Sequence, residues 1–198
     1  MSPAHVLEPT YDAIRRRLVT GDWQPGFRLE AARLASLLGV SITPVRDSLN
    51  RLTGERLVDA WPNEGFRVPR LEGRELRELI GWHHDLVRLA RRDVSHERVA
   101  VIQRGHDGIA ERTSLLFAAL SGDATDIEAT WAMGNAAARL GPYRKNEAAI
   151  LTDVDEELDS IEAAVLGGND ERVGSAIEEY HLRRQSVSDE LVRAAREH

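Results

Sequence analysis

The 198-residue chain contains no cysteine. That excludes disulfides, thiolate metal sites and cysteine nucleophiles, and it suits a reducing, cytoplasmic setting. No apolar run approaches the roughly 18 residues of a membrane helix, so no membrane role is expected. Residues Met1 to Val6 show no basic segment leading into an apolar one, so they do not read as a secretory signal. Internal repeats, low-complexity tracts and an obvious linker are also missing. What is present is a hydrophobic fraction of 42%, enough for a packed core, in a length that suits two small domains.

The net charge of −7 is unevenly spread: residues 1–70 carry +2 and residues 71–198 carry −9. A neutral-to-basic head on an acidic body fits a nucleic-acid-binding module joined to a separate regulatory part.

Hydrophobic spacing predicts a first helix over Pro9–Thr20, with Tyr11, Ile14 and Leu18 on its buried face. Gly21 to Gly26 is turn chemistry. A second helix over Glu30–Leu38 turns Leu34, Leu37 and Leu38 inward and stops at Gly39. A third follows after a short turn, capped by Ser41 or Thr43. Its buried stripe is Val45, Leu49 and Leu52, which leaves Thr43, Arg46 and Asn50 on the opposite face. Two strands, Leu57–Trp61 and Phe66–Pro69, joined by Pro62-Asn63-Glu64-Gly65, complete a helix-turn-helix followed by a hairpin.

Beyond Leu71 the pattern is helical throughout. Leu76, Leu79, Ile80, His83, Leu86 and Ala90 mark one face. Val99, Ile102, His106, Ile109, Thr113, Leu116 and Leu120 suggest one stripe held over three heptads. Ile127, Trp131 and Gly134 mark a further helix that Gly141-Pro142 should break. Val154 to Val165 forms the next stripe, and Val173, Ile177, Tyr180, Val187 and Leu191 form the last. The fold class expected is mostly α with a small β-hairpin, a helix-turn-helix head over 1–70 and an all-helical bundle over 71–198.

The runs at 11–29 and 34–52, with Gly65-Phe66-Arg67-Val68, resemble the N-terminal domain of GntR-type regulators. The helical remainder resembles the FCD-type effector domain of the FadR subgroup. The resemblance implies a winged helix-turn-helix whose third helix enters the major groove of double-stranded operator DNA, with the wing on the backbone or minor groove. It also implies a homodimer reading a palindromic site, and a small organic-acid effector in the body. The residues it assigns to DNA are Ser41, Thr43, Arg46, Asn50 and Arg51 on the third helix, and Asn63, Gly65 and Arg67 on the wing. Arg46 can pair a guanine edge bidentately or meet a phosphate. Ile42 stands where the family commonly has arginine, so it can touch a thymine methyl but donates no hydrogen bond.

Many FCD domains hold a metal with one aspartate and three histidines. Carried over residue by residue, the last histidine falls on His181 and the one before it on Leu158. The Asp-x-x-x-His pair falls on Ala110 and Ser114, or in another register on Gly122 and Asp126. That leaves too few ligands, so no metal and no cofactor are expected. His83, His106 and His181 fall on inward faces and are the candidate lining of an effector pocket, with Arg139, Arg144 and Arg183 as possible partners for an anionic group. A body that only dimerises or binds a protein partner is the alternative. The pairs His83-His84-Asp85 and His106-Asp107 are not ordered into a nucleophile, base and oxyanion donor, so the chain does not read as an enzyme.

Overall fold

The computed structural model describes residues 4–62, 64–91, 96–102, 108–121 and 127–197. The head comprises α1 (Ala4–Val19), β1 (Arg28–Leu29), α2 (Ala31–Leu38), α3 (Ile42–Gly54), β2 (Asp59–Trp61) and β3 (Gly65–Arg67). Its core is built from the expected stripes: Ile14 and Leu18 of α1 and Val45, Leu49 and Leu52 of α3 are all essentially inaccessible. Helix α1 starts upstream of Pro9, which lies inside it. Leu37, expected inward, is exposed. The buried pair on α2 is Leu34 and Ala35, and at 100° per residue Leu37 lies roughly 110° from the centre of that face. The strands form one antiparallel sheet in the order β1-β3-β2, with Leu29 and Ala60 both opposite Phe66. Strand β1 was not foreseen, because two residues leave no alternation and its existence depends on pairing with β3.

The body comprises α4 (Gly73–Ala90), α5 (His96–Val101), α6 (Ile109–Leu120), α7 (Ile127–Arg144), α8 (Glu147–Ile150), α9 (Val154–Leu166), α10 (Asp170–Ser186) and α11 (Ser188–Glu197). Helix α4 opens with a capping box, in which the Glu72 amide donates to the Glu75 carboxylate at 2.8 Å. Three expectations need correction. The stripe from Val99 to Leu120 does not form one helix: α5 ends at Val101, and Gly108, at φ 106°, starts α6. Ile127 and Trp131 are exposed, because the buried face of α7 is set by Ala129, Met133, Ala136 and Leu140. Gly141-Pro142 does not break α7, which runs on to Arg144. Pro142 forfeits only the bond its missing N–H would make to Ala138.

Head and body meet along the C-terminal half of α7. Ala138 is part of the head's hydrophobic core. The Asn135 side-chain amide donates to the Glu55 carbonyl at 2.8 Å, and the Leu71 amide donates to the Tyr143 hydroxyl at 3.0 Å. Gly141 lies so close to α1 that a Cβ there would overlap the Val19 carbonyl oxygen. The seam therefore depends on the absence of a side chain at this position.

Candidate nucleic-acid interface and interior polar site

On α3 the side chains expected to face DNA stand in one exposed row. Thr43, Arg46 and Asn50 are all exposed, and their spacing of three and four residues places them on one helix face. Arg46 makes no ion pair or hydrogen bond with any described residue. Ser41 occupies the N-cap position without bonding the helix through its side chain, and it too is exposed. The opening turn of α3 thus presents unpaired backbone N–H groups beside a free hydroxyl, a setting that favours phosphate. Ile42 is exposed at the edge of the row.

Arg51 behaves differently. Five residues after Arg46, it lies roughly 140° around the helix and faces α1. Its Nη1 donates to Glu8 at 2.8 Å, its Nε lies 3.6 Å from Glu55, and its guanidinium carbon is 3.9 Å from the centroid of the Tyr11 ring. The Tyr11 hydroxyl also donates to Glu55 at 2.7 Å. Burial, and then the Glu55 carboxylate, push that phenol up to about 12. Arg51 is thus occupied in fastening α3 to α1.

At the wing, Gly65 has φ 86° with open space around its Cα, so another backbone can approach it closely. Arg67 pairs with Glu64 at 2.7 Å and lies 5.9 Å from the Trp61 ring centroid. Asn63 lies outside the described residues. Trp61, which was not singled out from the sequence, is more than half exposed on the wing.

In the body, His83 and His181 meet although they are 98 residues apart. His83 Nδ1 and His181 Nε2 are 2.9 Å apart, and both side chains are buried. His181 Nδ1 sits 2.6 Å from the Ile177 carbonyl oxygen. A carbonyl only accepts, so Nδ1 carries the proton and Nε2 of the neutral ring accepts from His83 Nδ1–H. His83 Nε2 is then a bare lone pair, and it has no partner among the described residues. Burial is the main force lowering both pKa values, with Arg144 adding to it. His83 falls well below its ordinary value and His181 falls to about 3, so both rings are neutral at physiological pH. His106 lies outside the described residues. Leu158 is core, as its stripe implied. Among the described residues no group of three histidines or carboxylates converges on a metal position.

Among the described residues the interior also holds three arginines whose burial the stripes did not reveal. Arg112 is met by Asp155, Asp159 and Glu162. Arg184 is met by Glu147 and Glu157, and its guanidinium carbon lies 3.5 Å from the Tyr180 ring centroid. Among the described residues no carboxylate meets Arg144, and its Nη2 has no hydrogen-bond partner. Of the other two candidates for an anion, Arg183 pairs with Glu157 and the Thr152 carbonyl. Arg139 is half-buried, and burial followed by Arg56 lowers its pKa. A signal for Arg144 existed, since it takes the next slot in the stripe Met133, Ala136, Leu140. The expected break at Gly141-Pro142 hid it.

Residues 8–68 match the family profile described as bacterial regulatory proteins, gntR family. The HTH-type transcriptional regulator McbR of Escherichia coli K12 is 36% identical over 77 residues, covering 39% of this chain and 35% of that protein. The Nta operon transcriptional regulator of Aminobacter aminovorans is 36% identical over 89 residues, covering 43% and 42%. The matched stretch therefore spans less than half the length of these curated relatives, whose names are those of regulators and not enzymes. The solved structure of E. coli McbR/YncC superposes with a TM-score of 0.76 at 21% identity, covering 93% of this chain and 97% of that one. A GntR-named chain from Rhodococcus sp. RHA1 gives 0.73 at 19% identity, covering 92% and 96%. At these identities the likeness speaks for the fold: a gntR-type winged helix with a helical C-terminal part.

Proposed function

With residues 8–68 carrying a gntR-family head, we propose that the chain is a transcriptional regulator that binds double-stranded operator DNA through α3 and the wing. The observation that carries this reading is the exposed row Thr43, Arg46 and Asn50, in which the arginine has no partner among the described residues. A solvated, unpaired guanidinium on a helix of this placement is suited to a guanine edge or a phosphate. Ser41, Gly65 and Arg67 contribute backbone positioning at either end of the contact. Arg51 holds the helix and does not reach bases.

The body reads as an FCD-like module of the FadR subgroup that dimerises the protein and holds an effector without a metal. Trp82 and Leu89, both about half exposed and seven residues apart on α4, offer an apolar stripe for a second copy. A two-fold dimer would read a palindrome, which is the common route to specific affinity for so small a module. Among the described residues no helix is long and apolar enough to cross a membrane, in keeping with a regulator acting on DNA in the cytoplasm.

Selection of bound duplexes from a random pool tests both claims. A palindromic consensus with half-sites about one helical turn apart is the expected result. Recovery of unselected sequence would overturn the operator-binding reading, and recovery of a single half-site would overturn the dimer.

A further inference from the structure

The wing has too little positive charge to be drawn to DNA by charge alone. Residues 59–67 carry Asp59 and Glu64 against Arg67, a net charge of −1. Arg28, which faces Arg67 across β1 and β3, brings the sum only to zero. Glu64 moreover holds Arg67 at 2.7 Å, so that guanidinium reaches a phosphate only with a carboxylate beside it. Duplex DNA carries one negative charge per roughly 1.7 Å of its axis, and a wing with no net charge gains little from it.

The same hairpin holds out an aromatic ring. Directly paired residues share a sheet face. Leu29 and Ala60 flank Phe66 on the face that packs against the head's core, so Arg28, Asp59, Trp61, Gly65 and Arg67 lie on the other. Trp61 stands at the tip of that outer face, where its carbonyl accepts from the Glu64 amide at 3.0 Å. An aromatic side chain paired with a glycine can fold over it and cover it. That is not the case here: a Cβ at Gly65 would meet no described atom within 4 Å, and the Trp61 side chain is 52% exposed. The ring stands clear of its cross-strand partner, beside a glycine that lets another backbone close in.

We propose that Trp61 is the main hold of the wing on DNA, packing its indole against deoxyribose rings along the rim of the minor groove. That groove is about 6 Å wide, so a bulky ring at its rim meets sugars before base edges. Sugar carbons are apolar, and an indole brings a large hydrophobic surface at the cost of ordering few bonds. The contact fixes the position of the head on the duplex without reading sequence. This rests on the operator-binding reading and adds to it a residue and a chemistry: the wing binds through an uncharged contact, which salt does not weaken.

The test uses the full chain and the duplex recovered by selection. Trp61→Ala should weaken binding by about tenfold, the scale of one aromatic contact to a nucleotide. Trp61→Phe should recover it to within about threefold. The slope of log affinity against log salt should be the same for parent and Trp61→Ala, whereas loss of a phosphate contact would reduce it by about 0.9. Hydroxyl-radical footprinting, which reports on the sugars, should show protection beside each half-site that disappears with Trp61→Ala. The melting temperature of that variant should stay within about 2 °C of the parent, as for an exposed position. Unchanged affinity, a reduced salt slope, retained protection of the flanking sugars or no recovery with phenylalanine overturns the proposal. Selective binding by the parent with any of these results removes only the role of Trp61, and a parent that selects no sequence removes the operator reading on which it rests.

Discussion

The Arg51 guanidinium carbon lies 3.9 Å from the centroid of the Tyr11 ring, so α3 is clamped to α1 by a stacked cation as well as by its apolar stripe. Glu8 and Glu55 complete the clamp. Arg51→Ala should lower stability by about 1 kcal/mol, because partly exposed stacked and paired arginines contribute on that scale. DNA affinity at a temperature where the variant is fully folded should change by less than about threefold. Chemical denaturation and a gel shift check the two halves separately.

Arg46→Ala should do the reverse. Stability should stay within about 0.5 kcal/mol, as for a surface substitution away from any partner. Specific binding should fall by at least about tenfold for each half-site that loses its contact. A variant that binds the selected operator with unchanged affinity would show that α3 does not read it.

The pair His83–His181 predicts a dependence on pH. Both folded-state pKa values are depressed, that of His181 to about 3, against an ordinary value of 6.5. The unfolded chain therefore binds more protons than the native one below that value. Stability should be level above about pH 7 and should fall as the pH drops from 6.5 towards 5, by up to about 1.4 kcal/mol per pH unit for each histidine. Melts at pH 7.5, 6.5 and 5.5 measure the slope. Replacing His83 by phenylalanine should make it shallower, and an unchanged slope would mean that this ring does not cause it.

Gly141→Ala tests the seam. A methyl group at this position meets the Val19 carbonyl, which is backbone and has nowhere to retreat without moving α1. A cost of about 1–3 kcal/mol is expected, together with faster cleavage between residues 68 and 73 in limited proteolysis. Parent-like stability and cleavage would show that head and body do not touch there.

The head was largely legible because its signals are local. The stripes Tyr11-Ile14-Leu18 and Val45-Leu49-Leu52 each lie within a single helix, and Thr43, Arg46 and Asn50 are exposed because those stripes are buried. What escaped depended on partners distant in sequence. Arg51 shares its helix with Arg46, yet only the packing of α1 decides that it faces Glu8 and Tyr11. Strand β1 exists by virtue of β3, about 38 residues later. In the body, the pairing of His83 with His181 and the isolation of Arg144 are properties of how α4, α7 and α10 converge. Periodicity ranks residues as inward or outward, and it cannot say which inward charges find each other. Pro142 misled for a related reason: the seam with α1 supports α7 past a residue that would end an isolated helix.

Arg144 lies on the same turn of α7 as Gly141, which fits against Val19, and beside Lys145, whose ammonium reaches the Gly21 carbonyl at 3.4 Å. One rigid turn thus carries the interior cation on one side and the head's anchor points on the other. A shift of this turn would therefore be felt on both sides at once, in the packing around Arg144 and in the contacts that hold α1, the helix to which Arg51 fastens α3.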